Sequence, residues 1–140
     1  MKNEEFRKIL ETSHQYFIMH NGDAHVDNGW ELSIQGKTID DAMYLYENLV
    51  SFLLISKASF KFGTDRLINC DHEEQRTKLL TIYIPNGVEA TSFAELVYLH
   101  IKDYEGGEGV DAKESYTRYK NSIFYRNDRD VNGEYIPAKQ

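Results

Sequence analysis

The sequence predicts a single α+β domain in which about three helices lie on a mixed, mostly antiparallel sheet. Three observations carry that expectation. Helical and strand-like periodicities alternate irregularly, not as the regular βα units of a parallel sheet. The 140 residues suffice for one hydrophobic core and fall short of two. No internal repeat, low-complexity stretch or linker divides them.

Residues 4–19 set Phe6, Ile9, Leu10 and Phe17 near helical spacing and read as an amphipathic helix. Residues 20–29 (HNGDAHVDNG) are rich in turn formers and read as a loop, so residues 1–28 form an N-terminal helix and loop. WELSIQ (residues 30–35) alternates large apolar with polar side chains, as a half-buried strand does. Thr38-Ile-Asp-Asp41 opens the next helix like a capping box, with Asp41 in place of the usual Glu or Gln. That helix runs to about Ile55 and shows Ala42, Leu45, Leu49, Phe52 and Leu53 on one face.

Residues 59–62 read as a short strand, and residues 63–77 as polar and irregular apart from one helical turn over residues 65–68. LLTIYI (residues 79–84) is the clearest strand, rich in β-branched and aromatic residues and stopped by Pro85-Asn86-Gly87. Ser92-Phe-Ala-Glu95 reads as a capping box opening a helix to about Asp103, followed by a flexible EGGEG loop (residues 105–109). Residues 122–126 are the last predicted strand, and Asn132-Gly133 marks a turn in a tail of residues 129–140. The predicted order is α-β-α-β-β-α-β.

Charge and composition narrow the function classes. The net charge of −7, from 23 acidic and 16 basic residues, disfavours gripping duplex nucleic acid but leaves room for a local basic pocket. The single cysteine, Cys70, forbids an intramolecular disulfide and suits a reducing compartment. The N-terminal MKNEEFRKIL is charged, unlike a signal peptide. The most apolar stretch, residues 42–55, is broken by Glu47, Asn48 and Ser51 and is too short to span a bilayer. The expected location is the cytoplasm, or a host's cytoplasm for a secreted or viral chain, with no membrane partner. Ten tyrosines within a 13% aromatic content point to a tightly packed core or an aromatic-lined cleft.

Several common chemistries lack their motifs. No phosphate loop, dinucleotide fingerprint or nucleophile elbow occurs, and EGGEG lacks the lysine and the strand–helix setting of a phosphate loop. His14, His20, His25, His72 and His100 form no metal spacing with one another or with Cys70. Asp128, Asp130 and Asn132 lack the remaining ligands of a calcium loop. Neither a metal nor a cofactor is expected.

Four segments taken in order, GWELSI (29–34), SFKF (59–62), KLLTIYIP (78–85) and FYRND (124–128), resemble the phosphothreonine lyases secreted by some bacterial pathogens. They are also similar to the lyase domains that begin class III and IV lanthipeptide synthetases. The resemblance spans about residues 29–128, and its weight lies in the ordered set. It implies β-elimination of phosphate from phosphothreonine or phosphoserine. In that family a lysine removes the Cα proton, a histidine protonates the leaving phosphate, and arginines and lysines hold its oxygens. Such a lysine must be kept neutral by burial or by neighbouring cations. A departing phosphate calls for fixed cations, among which arginine offers a bidentate fork.

The resemblance places Lys61 of F-K-F at the catalytic lysine and Arg126 of F-Y-R-N-D at a phosphate-binding arginine. Lys78 falls at a second phosphate-binding cation and Arg66 at a further loop arginine. Tyr83 and Tyr125 flank the expected pocket as ligand-stacking candidates. Where the family reads tryptophan, lysine, an apolar residue and histidine, this chain reads Trp30-Glu31-Leu32-Ser33. Ser33 thus stands in the general acid's position, and Glu31 in that of a phosphate-binding lysine. A hydroxyl is a poor proton donor, and a carboxylate repels phosphate. His25, in the preceding loop, is the candidate substitute acid.

Three functions follow from these residues. One is binding of a phosphorylated peptide or small phosphorylated ligand, such as a nucleotide, without efficient catalysis. Another is a working lyase with Lys61 as base and a substituted acid. The third is a small virus- or host-encoded inhibitor that uses only the scaffold to meet a protein partner.

Overall fold

The computed structural model describes residues 2–24, 26, 28–73, 75–112, 115–130 and 132–136. The elements are α1 (Asn3–Thr12), β1 (Phe17–His20), β2 (Trp30–Gln35), α2 (Ile39–Ser56), β3 (Ser59–Gly63), α3 (Asp65–Ile68), β4 (Lys78–Tyr83), α4 (Ala90–His100), β5 (Thr117–Lys120) and β6 (Ile123–Asn127). The strands form one sheet in the order β1-β3-β4-β2-β6-β5, and every pairing in it is antiparallel.

The α+β class is that read from the sequence. Thr38 accepts from the Asp41 amide while the Asp41 carboxylate accepts from the Thr38 amide, so aspartate completes the capping box of α2. The helical turn at Asp65–Ile68 also forms, capped by the Thr64 side chain.

Three elements depart from expectation. Residues 4–19 are not one helix: α1 stops at Thr12, Ser13 is extended, and Phe17–His20 joins the sheet as β1 against β3. Phe17 keeps helical spacing with Leu10 by coincidence, and the free hydrogen-bonding edge of β3 decides the outcome. Helix α4 begins at Ala90, not Ser92, and its N-cap Glu89 makes no side-chain cap hydrogen bond. The Thr91 and Ser92 hydroxyls bond to the Glu89 carboxylate instead. Strand β5 (TRYK) is mostly exposed and polar, which is why no apolar alternation announces it. It is joined to β6 by a tight turn in which Asn121 adopts a φ of 53°.

Alternation divides the sheet into two unlike faces. Phe60, Phe62, Leu80, Ile82, Leu32, Ile34 and Ile123 point to one side and are buried beneath the helices. Helix α2 covers β3 and β4, whereas α4 covers β2 and β6. Helix α1 rests on α2 and α3 and inserts Phe6 and Leu10 into this core. The opposite face carries Ser59, Lys61, Thr81, Tyr83, Glu31, Ser33, Phe124 and Arg126. Beyond β6 the tail folds back: Arg129 bridges Tyr135, and the Ile136 amide donates to the Asp128 carbonyl at 2.5 Å.

Candidate anion site on the polar face

The register builds this site row by row. Directly paired residues in an antiparallel sheet share a face, so Lys61 lies beside Thr81, Thr81 beside Ser33, and Ser33 beside Phe124. The neighbouring row is Ser59, Tyr83, Glu31 and Arg126. A bulge at Ile34/Gln35 sets Lys78 opposite Gln35, and its ammonium lies 5.8 Å from the centre of the Tyr116 ring. Tyr116 also stacks against the Arg126 guanidinium at 5.4 Å. Lys61, Lys78 and Arg126 therefore share one face of the sheet.

Their electrostatic states differ. Arg126 is 6% exposed; its Nε donates to Glu31 Oε1 at 3.1 Å and its Nη1 to the Ile136 carbonyl at 2.8 Å. Glu31, equally buried, also accepts from the Tyr116 hydroxyl at 2.6 Å. Burial and this neighbouring carboxylate both hold the Tyr116 phenol well above the ordinary tyrosine range. Glu31 on β2 thus neutralises the Arg126 guanidinium directly opposite it on β6.

Lys61 is the contrasting case. Its ammonium lies over the Phe17 ring at 4.4 Å and 5.9 Å from the Tyr83 ring centre. Among the described residues it has no hydrogen-bond or ion-pair partner. Burial lowers its pKa from the ordinary lysine value, with Glu31 opposing that shift. Such a lysine binds its proton less tightly folded than unfolded. Its charging therefore opposes folding fully below the lowered folded-state pKa, and not at all above the ordinary value of 10.5. Lys61→Met should accordingly raise stability at pH 7, and the gain should shrink as pH climbs towards 10.5. Urea denaturation at pH 7 and pH 10 checks this; a stability loss at pH 7 would contradict it.

Thr81, between Lys61 and Ser33, is 1% exposed and its hydroxyl has no hydrogen-bond partner among the described residues. A buried, unsatisfied hydroxyl costs roughly 1–3 kcal/mol. Thr81→Val should therefore stabilise the fold by about 1 kcal/mol, read from the urea midpoint; destabilisation would show that the hydroxyl is satisfied. Ser33 is fully buried, and its Oγ accepts from Gln35 Nε2 at 2.8 Å. Gln35 is in turn anchored by the Thr77 hydroxyl at 2.7 Å.

Two of the sequence-derived candidates lie elsewhere. Tyr125 pairs with Leu32 and points to the helix-covered face, where its ring meets Trp30 at 6.2 Å. One-residue alternation separates it from Arg126, so both cannot face the same ligand. Arg66 sits on α3, donates to the His14 carbonyl at 2.9 Å and stacks on Tyr16 at 5.0 Å. It lines a separate surface cavity of about 320 Å³ with Cys70 and His72. His25 lies outside the described residues. The groups that sequence reasoning missed are Thr81, Tyr116 and Asp128. Thr81 was legible as the polar residue between Leu80 and Ile82, whereas Tyr116 arrives from an irregular segment that carries no periodic signal.

Among the described residues, no group of three or more His, Cys, Asp or Glu is arranged to hold a metal ion. No helix among them is long and apolar enough to cross a membrane.

This antiparallel sheet with its helices is a fold shared with solved phosphothreonine lyases. The chain is similar to the type III effector/phosphothreonine lyase OspF from Shigella flexneri, with a TM-score of 0.62 at 13% identity over 91% of this chain and 76% of that one. A second phosphothreonine lyase structure matches with a TM-score of 0.60 at 14% identity, over 91% of this chain and 73% of the other. No protein-family model matches the sequence, and no curated protein matches it.

Proposed function

We propose that this protein binds a phosphorylated ligand on the polar face of its sheet without eliminating the phosphate. The observation that carries the reading is the Lys61–Thr81 pair. The half-buried Lys61 ammonium has no carboxylate partner among the described residues, and Thr81, paired with Lys61 across the strands, has a buried hydroxyl that is also unpartnered. A bound phosphate would give the Lys61 ammonium its counter-charge, and Lys78 adds a further positive charge on the same face.

Elimination has weaker support. Burial lowers the Lys61 pKa, the direction that favours a general base. The acid's position, however, holds a fully buried serine already engaged by Gln35. Glu31 sits where a cation would stabilise the leaving group and occupies Arg126 instead.

Calorimetry with phosphothreonine, a phosphothreonine peptide, mononucleotides and inorganic phosphate tests the binding, and mass spectrometry of the incubated peptide tests the chemistry. At least one phosphorylated compound should bind, with affinity falling at least tenfold in Lys61→Ala, and the peptide mass should stay unchanged. Binding indifferent to Lys61→Ala sinks the reading. A peptide lighter by phosphoric acid would make the protein a lyase with a substituted acid.

A second reading, a scaffold that meets a protein partner, is favoured by one observation: the tail covers Arg126 through the Ile136 carbonyl and the Tyr135 ring. It predicts no binding to any phosphorylated compound.

A further inference from the structure

A cavity of about 230 Å³ opens beside Lys61 at the Gly29 end of the polar face. Its walls include Met19, Asn28, Ser59, Tyr83, Asp128 and Arg129. Three of these surround the lysine: Met19 pairs with Lys61 across β1 and β3, Ser59 precedes it by two positions on the same face, and Tyr83 pairs with Ser59. The walls come from β1, the segment before β2, β3, β4 and the end of β6. The cavity is therefore a cup, not a groove along a strand. A cup suits one compact group, whereas an extended peptide needs a groove.

Two polar groups in the cup lack partners. Asp128 is 7% exposed, and its Oδ1 has no hydrogen bond among the described residues. Arg129 Nε lies 3.4 Å from it, an ion pair without hydrogen-bond alignment. Native buried carboxylates rarely leave an oxygen unbonded without reason. Gly29, at φ +81°, makes room for this carboxylate, since a Cβ there would lie 2.9 Å from Oδ1. The Tyr83 hydroxyl is likewise unpartnered among the described residues. Burial, aided by Glu31, raises its pKa to about 12, so it remains a donor near neutrality. The cup thus offers one acceptor and one donor beside an aromatic ring, next to a lysine that fits phosphate.

We propose that this cup seats a nucleobase, and that the phosphorylated ligand is a nucleoside phosphate whose base donates an N–H to Asp128 while its phosphate meets Lys61. The proposal rests on the phosphate-binding reading above. Arg129 already compensates the Asp128 charge, which favours a neutral N–H donor over a cationic side chain. The Tyr83 hydroxyl would meet an acceptor on the edge of the base, and the Trp30 ring, also in the wall, offers a planar apolar surface.

Calorimetry on the full chain with AMP, GMP, CMP, UMP, the four nucleosides, inorganic phosphate and a phosphothreonine peptide tests it. At least one of AMP, GMP, CMP or UMP, each of whose bases carries an N–H donor, should bind at least tenfold tighter than inorganic phosphate. Asp128→Ala should lose at least tenfold for that nucleotide while inorganic phosphate changes less than twofold. Tyr83→Phe, which removes only the hydroxyl, should weaken the nucleotide in the same selective way and serves where Asp128→Ala fails to fold. Nucleotide affinity unchanged in both variants, or a phosphothreonine peptide binding tighter than every mononucleotide, overturns the proposal. Phosphate compounds that depend on Lys61 but not on Asp128 or Tyr83 would keep the phosphate reading and discard the cup. Nucleosides that bind through Asp128 while phosphate adds nothing would keep the cup and discard the phosphate reading.

Discussion

Arg126→Met should destabilise the protein by about 3 kcal/mol, at the lower end of the roughly 3–5 kcal/mol lost when one member of a buried ion pair is removed. Glu31 and Arg126 are each 6% exposed and are joined at 3.1 Å. Without the guanidinium, Glu31 keeps only the Tyr116 hydroxyl as a hydrogen-bond donor among the described contacts. That donor keeps the expected loss from the upper end of the range. Adding Glu31→Met should recover most of the stability, because well-packed apolar replacements of buried ion pairs are often neutral or stabilising. Urea denaturation of the two single variants and the double variant gives the coupling directly. A loss below about 1 kcal/mol for Arg126→Met would show that Glu31 is not dependent on the guanidinium, and the arginine would then be free to serve a ligand.

Phe62→Ala should be as damaging, costing about 3–5 kcal/mol. Phe62 is 1% exposed, and its ring meets Phe6 edge-on at 5.3 Å, Tyr46 at 5.8 Å and Phe60 at 6.0 Å. Phe6 itself stacks on Tyr46 at 3.9 Å. This aromatic cluster fixes α1 to the sheet, so truncation removes transfer free energy, leaves a cavity and unseats the helix. Set against a typical domain stability of about 5–15 kcal/mol, the loss is large enough to lower the urea midpoint substantially. A shift below about 1 kcal/mol would show that α1 and its cluster repack freely around the gap.

The apolar half of the molecule was readable from sequence because burial writes itself as periodicity. LLTIYI and WELSIQ announce the two central strands, and Thr38 with Asp41 announces the start of α2. What escaped was decided by partners distant in sequence. FIMH becomes β1 because β3 offers it an edge, and TRYK becomes β5 because β6 does. The site followed the same division. The F-K-F alternation gave the face of Lys61, and Tyr125 beside Arg126 could have been assigned to the opposite face by the same rule. No local pattern tells that Glu31 would clasp Arg126, since that pairing depends on β2 lying beside β6. Nor does any local pattern tell that Gly29 and Arg129 would enclose Asp128.

The strand order has a consequence for how the protein comes into being. Glu31 and Arg126 stand 95 positions apart in the chain, and the sheet joins them only when its last hairpin docks against β2. Closing so long a loop is slow compared with forming local helices. During synthesis or refolding, Glu31 therefore waits without its counter-charge until almost the whole polypeptide has assembled. The Glu31–Arg126 clasp is then a property of the finished sheet, and no fragment lacking β6 forms it.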